Sequence, residues 1–149
     1  MNTQEHMIAV IEPARDSDAT TEVAKENGVI EVAREVVDRG GRVTVLVLIT
    51  RGIFANIAAF AEAESIGFPD AKEIYLERLA EVYSSRFGDH DVATIVTGGP
   101  NPNKTAFDTA GRVAATSVVM DQQLATRRPW RSSVARSRVP VVIAPPVAA

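Results

Sequence analysis

Ala115-Thr116-Ser117-Val118-Val119-Met120-Asp121 opens the stretch whose reading decides the fold. It continues through a polar, arginine-rich segment to Arg128-Pro129-Trp130-Arg131-Ser132-Ser133-Val134-Ala135-Arg136. It closes on Val139-Pro140-Val141-Val142-Ile143-Ala144-Pro145-Pro146. The pattern predicts strand, loop, short helix and final strand. A proline near a strand start is tolerated because its missing N–H costs no ladder bond at an edge. An apolar edge of this kind invites pairing with another copy of the chain. In an open α/β sheet ligands lie beyond the carboxyl ends of the strands, so the loop expected after Met120 is the place for a small ligand.

Working back toward the start, the same alternation recurs. Met7-Ile8-Ala9-Val10-Ile11 is a continuous apolar run, as expected of a strand covered on both faces. Glu12-Pro13 ends it and a polar loop through Asp18 follows. Thr20 or Thr21 is placed to cap a helix to about Arg39, with Val23, Val29, Ile30, Val32, Ala33, Val36 and Val37 at helical spacing. Gly40-Gly41 stops that helix, and Arg42 to Ile49 forms a second strand. The excursion Arg51 to Asp70 predicts a short helix through Ile53, Phe54, Ile57, Phe60 and Ala61. Asp70 is expected to cap another helix through Phe87, with Ile74, Leu76, Leu79, Val82 and Tyr83 inward. Val92 to Thr97 is the third strand, and Lys104 to about Ala114 the helix before the fourth. Five apolar runs alternating with helices predict one α/β domain over residues 1–149, built on a five-stranded, parallel, doubly wound sheet.

Composition narrows the function. Of 149 residues, 46% are hydrophobic and 23% charged, which is ordinary for a globular chain and argues against disorder. There is no cysteine, which excludes disulfides and thiolate metal sites. The longest β-rich apolar run is far too short to span a bilayer, and no basic and apolar leader opens the chain, so a cytoplasmic location is expected. The net charge of −3 is unevenly spread. All 19 acids lie in residues 1–121 with 11 of the basic residues, a net of −8. Residues 122–149 carry five arginines and no acid, a net of +5. A basic element can attract phosphate or nucleic acid. Arginines that solvate a short surface helix are the plainer account, and nucleic acid is not the expected partner.

Several stretches, in this order and spacing, resemble the universal stress proteins over essentially the full length. His6 to Glu12 resembles the family's first strand, which usually ends in Asp and here ends in Glu12. Gly41 to Leu48 resembles the second strand after a helix ending in Gly. Gly98-Gly99-Pro100 resembles the Gly-x-Pro loop after the third strand. Arg128 to Val134 resembles the segment before the family's closing strand, matched here by Val139-Pro140-Val141-Val142-Ile143. The resemblance implies a homodimer joined through the last strand (Val139, Val141, Ile143) and often a bound adenine nucleotide, ATP or AMP. That nucleotide would lie near Glu12, Leu48, Gly98 and the segment from Asp121 to Ser133.

The family's nucleotide signature is Gly, two residues, Gly, nine residues, then Gly-Ser or Gly-Thr. Glycines there let backbone amides approach phosphate. In this chain the first glycine position is Asp121 and the second Leu124, and the Gly-Ser position falls nearest Ser132-Ser133, two residues early. An aspartate repels phosphate, and a leucine side chain blocks backbone approach. Arg127, Arg128, Ser132 and Ser133 remain as an alternative set of phosphate donors.

A rival reading starts from Gly98-Gly99-Pro100-Asn101-Pro102-Asn103-Lys104-Thr105, one residue from a phosphate-binding P-loop, with Asp121 as a Mg²⁺-holding carboxylate. Pro100 and Pro102 remove two of the amides such a loop needs. An Asn/Pro turn with Asn103 capping the next helix accounts for the same residues. His90 between Asp89 and Asp91 reads as an exposed turn rather than a metal site, and no Ser/His/Asp arrangement surrounds either histidine. Trp130 is expected to pack the last helix onto the sheet. The expectation is a non-catalytic, homodimeric stress-response module with weak or lost nucleotide binding and no metal. Its alternatives are ATP binding through the Arg/Ser set, or a small NTPase using Lys104, Thr105 and Asp121.

Overall fold

A computed structural model describes residues 4–13, 28–88, 90 and 92–145. Its centre is β1 (His6–Ile11), all six residues of which are buried. β2 (Arg42–Leu48) pairs with it on one side and β4 (Ser117–Asp121) on the other, both in parallel. β3 (Ala93–Thr97) extends the sheet beyond β2, and β5 (Val141–Ala144) extends it beyond β4. The order is therefore β3-β2-β1-β4-β5, the parallel five-stranded sheet expected from the sequence.

Side chains alternate across a strand, so each central strand feeds two cores. Met7, Ala9 and Ile11 join Val43, Val45 and Val47 under α1 (Gly28–Asp38), α2 (Arg51–Glu64) and α3 (Phe68–Ser85). Ile8 and Val10 join Leu46, Leu48, Val118 and Met120 under α4 (Pro102–Arg112), α5 (Gln122–Thr126) and α6 (Trp130–Arg136). Strand order runs outward from β1 to β3, then reverses to β4 and β5. Right-handed crossovers must change face at such a reversal, which puts α1 to α3 on one layer and α4 to α6 on the other.

Helix ends follow local chemistry. The Gly40 and Gly41 amides bond back to Val37 and Val36 carbonyls at 3.0 and 2.8 Å, with Gly40 at φ 89°, a left-handed C-terminal cap. A Cβ on Gly41 would lie 2.6 Å from Val36 Cγ1, so only glycine lets the chain turn this tightly into β2. The start expected for this helix at Thr20 or Thr21, with Val23 and the loop through Asp18, lies outside the described residues.

The excursion after β2 forms two helices. Thr50 Oγ1 caps α2 by accepting from the Ile53 amide at 3.2 Å. α3 begins earlier than expected: Gly67 is its cap, Pro69 sits in its first turn, and Asp70 lies inside that turn rather than capping it. Proline's fixed φ suits the first turn of a helix, and an acid there complements the helix dipole. The inward face of α3 is Ala71, Tyr75, Leu79 and Tyr83, while the expected Ile74 is exposed. Tyr75 is buried on that face with Asn56 Nδ2 donating to its hydroxyl at 3.2 Å, which satisfies its polar tip, and Leu79, Tyr83, Leu76 and Val82 pack inward as expected. Phe54, also expected inward, is exposed and stacks on Phe68 at a centroid distance of 6.4 Å.

At the opposite end of the chain β5 is one residue-pair shorter at its start than expected. Val139 and Pro140 precede it, and the Pro140 carbonyl still accepts from the Val118 amide at 3.0 Å. Val139 and Val141 pack against the second core, whereas Val142 and Ile143 are exposed on this outermost strand. Trp130 is 2% exposed and anchors α6 to the sheet, as the sequence predicts. No helix among the described residues is long and apolar enough to cross a membrane.

His6 gives the fold a pH dependence. Its ring is buried, with Nε2 2.8 Å from Thr44 Oγ1, and burial together with the Arg42 charge holds its pKa below the ordinary histidine value. The unfolded chain therefore binds the proton more readily than the folded one. The His6 contribution is intact above the unfolded pKa of roughly 6.5 and is lost as pH falls from there through the folded value. Urea unfolding at a series of pH values should show stability falling on acidification below that point, with a shallower fall in His6→Gln. Identical pH slopes in the two proteins would remove His6 as the cause.

Candidate functional site

The reversal of strand order falls between β1 and β4, and in doubly wound sheets the crevice beyond the carboxyl ends at that point is the ordinary ligand position. Here two side chains meet across it. Arg127 Nη1 donates to both carboxylate oxygens of Glu12, at 2.9 and 2.7 Å. The Glu12 carboxylate raises the Arg127 pKa above its ordinary value, and the Asp121 charge adds to this. Glu12, Asp121 and Arg127 thus form one electrostatic cluster, and the carboxylate that the resemblance assigns to the adenine side is already engaged.

The loop expected after Met120 is instead the short helix α5. Asp121 Oδ1 accepts from the Leu124 amide at 2.7 Å, an N-cap. The helix-forming Gln122-Gln123-Leu124-Ala125 run that follows then closes a turn where the family's signature has its glycines. Leu124 is 1% exposed and lies in the second core with Ala125 and Trp130. Leu124 at the second glycine position is consequently a core residue, and its amide is spent on the cap.

The remaining expected residues disperse. Leu48 is buried at the end of β2 in the second core. Gly98 follows β3, where an added Cβ would lie 3.3 Å from Ile49 Cδ1. Arg128 and Ser132 are exposed on either side of the α6 start. Ser133 is half-buried, and its Oγ accepts from Asn103 Nδ2 at 2.8 Å, tying α6 to α4. Asn103 is therefore not the cap of α4. Asn101 takes the cap position and Pro102 opens the helix, which leaves Asn103 in the first turn.

The P-loop-like residues also have other engagements. Thr105 Oγ1 donates to the Asn101 carbonyl at 3.2 Å, and Asp121 caps α5. Lys104 lines a separate cleft between α4 and α6, together with Asp108, Arg136 and Arg138. That cleft went unread in the sequence. Its only signals there are the i, i+4 spacing of Lys104 and Asp108 and the arginines of the basic segment. His90 is exposed, with Nε2 3.4 Å from Asp38 Oδ1. Asp89 and Asp91 lie outside the described residues.

These placements separate in stability measurements. Asp121→Ala should cost about 0.5–2 kcal/mol through the lost cap, with Asp121→Asn nearly neutral. Leu124→Ala should cost about 2–5 kcal/mol as a buried truncation. Glu12→Gln should cost under about 1 kcal/mol, because the pair with Arg127 is partly exposed. Denaturant titration of the four variants checks this ranking, and a neutral Leu124→Ala would contradict the core assignment.

No protein-family model matches the chain, and no curated protein matches it. Solved structures do. A universal stress protein from Archaeoglobus fulgidus is 17% identical, with 95% of this chain and 93% of that one covered and a TM-score of 0.53. Universal stress protein UspA from Lactobacillus plantarum is 13% identical, over 97% and 100% of the two chains, with a TM-score of 0.51. A universal stress protein in complex with cAMP is 15% identical, over 95% and 97%, with a TM-score of 0.50. With its parallel β3-β2-β1-β4-β5 sheet and helices on both layers, this chain has the universal stress protein fold.

Proposed function

We propose that the chain is a non-catalytic, stress-related regulatory module of the universal stress protein type, cytoplasmic and homodimeric, whose adenine-nucleotide site is weak or lost. The observation that carries this reading is the filling of the carboxyl-end crevice from within. Arg127 closes on Glu12, and Asp121 and Leu124 are built into a capped, buried turn. A phosphate entering there would meet the Asp121 carboxylate and no glycine backbone. The fold by itself supplies no activity, so the site has to carry the argument.

A second reading, ATP or AMP held by Arg127, Arg128, Ser132 and Ser133, is favoured by one observation. The Arg127 and Glu12 side chains are 48% and 27% exposed. Exposed pairs are worth about 0–1 kcal/mol, so a phosphate could take Arg127 from Glu12 at little cost. The solved cAMP complex of a similarly folded protein supports adenine nucleotides as the class to try.

Dimerisation rests on the β5 edge. Val142 and Ile143 are exposed on a strand that, among the described residues, pairs on one side only. Two copies pairing there would form an isologous two-fold contact. Calorimetric titration with ATP and with AMP, each with and without Mg²⁺, tests the nucleotide reading. The expected result is no saturable binding that depends on Arg127 and is tighter than about 1 mM, equivalent to roughly −4 kcal/mol. Tighter binding that is lost in Arg127→Ala establishes the second reading, and binding that needs both Mg²⁺ and Lys104 overturns the non-catalytic one in favour of an NTPase. Sedimentation should show a dimer that Val142→Asp with Ile143→Asp converts to monomer, and a monomeric parent protein would end the β5 proposal.

A further inference from the structure

The cleft between α4 and α6 has a volume of about 490 Å³, within the roughly 300–1,000 Å³ common for small-molecule sites. Phe107, Ala110 and Val139 give it an apolar lining continuous with the second core. Its polar residues are unbalanced in charge. Lys104, Arg136 and Arg138 contribute three cations against the single Asp108 carboxylate. Among the described residues none of these three cations is ion-paired.

Two further features distinguish this concavity from a plain seam between helices. Next to it, Asn103 Nδ2 donates to Ser133 Oγ, leaving the Ser133 hydroxyl hydrogen available and the buried Asn103 Oδ1 without a hydrogen-bond partner. Further along α4, Gly111 also lines the cleft, and a Cβ added there would meet nothing within 4 Å. A glycine inside a helix costs about 1 kcal/mol relative to alanine, and no neighbour requires one here. Its effect is to leave the space open.

From these observations we propose that the α4–α6 cleft binds a small organic acid. An aromatic or branched apolar body lies against Phe107 and Ala110, and one carboxylate or phosphate is held among Lys104, Arg136 and Arg138. A charge of one or two matches the net lining, whereas a long polyphosphate would also confront Asp108. Guanidinium forks suit such an anion because they donate in pairs. The site is apart from the Glu12–Arg127 crevice and does not depend on whether a nucleotide binds there.

The test uses two fluorescent probes that share one ring system, 1-anilinonaphthalene-8-sulfonate and its neutral counterpart N-phenyl-1-naphthylamine. The sulfonate should bind saturably at one site per chain, and more tightly than the neutral probe by at least about tenfold, the worth of one charge-assisted contact. Arg136→Glu with Arg138→Glu should abolish that preference and leave the neutral probe unchanged. Gly111→Leu should exclude both probes while the protein melts no lower than the parent, since it fills open space on a helix. Equal affinity for the two probes, or sulfonate binding that survives Gly111→Leu, overturns the proposal. So does binding that is lost in Phe54→Ser, which would put the probe on the exposed Phe54–Phe68 pair instead.

Discussion

Burial of β1 on both faces is the constraint from which the rest of the structure follows. Its six residues have no solvent-facing side, so the strand needs a ladder partner on each flank and a helical layer above and below. β2 and β4 provide the ladders. Right-handed crossovers cover both faces only where the strand order reverses, hence the reversal between β1 and β4. The crevice beyond the strand ends is a consequence of that reversal rather than a separate feature.

What occupies the crevice is settled by competition for a few backbone amides. A phosphate cradle needs amides unpaired and side chains absent. In this chain Asp121 takes the Leu124 amide, and the Leu124 side chain turns down into the second core. The cap and the buried leucine support each other, because the cap fixes the turn that aims the side chain inward. The same residues cannot hold this arrangement and also serve as a cradle. Arg127 pairs with Glu12, and one arginine of the basic segment is neutralised within the molecule.

The basic segment is divided by the fold. Arg127 reaches the end of β1, Arg128 and Arg131 are exposed, and Arg136 and Arg138 line the α4–α6 cleft. An excess of five positive charges along the chain thus becomes separate local environments. Whole-segment charge predicts long-range attraction, whereas a site depends on which carboxylates the fold brings within reach.

The sequence by itself determined the strands, their parallel order as a class and some helix ends, because those depend on periodicity and on groups a few residues apart. Val/Ile runs marked β1 and β2, and Gly40-Gly41 marked the end of α1. Local chemistry also contained the answer for α5, although Asp121 was read as an obstacle to phosphate and not as a cap. The inward face of α3 was legible in Leu79 and Tyr83, with Leu76 and Val82 beside them, but not at Tyr75, whose hydroxyl meets Asn56 across the helical hairpin while Ile74 is exposed. Nor was the state of the candidate site, where Glu12 and Arg127 lie 115 positions apart in the chain and the Asn103–Ser133 contact spans 30. Only the tertiary structure decided those pairings, because side chains on different elements meet only once the sheet and its two layers have fixed where each helix lies.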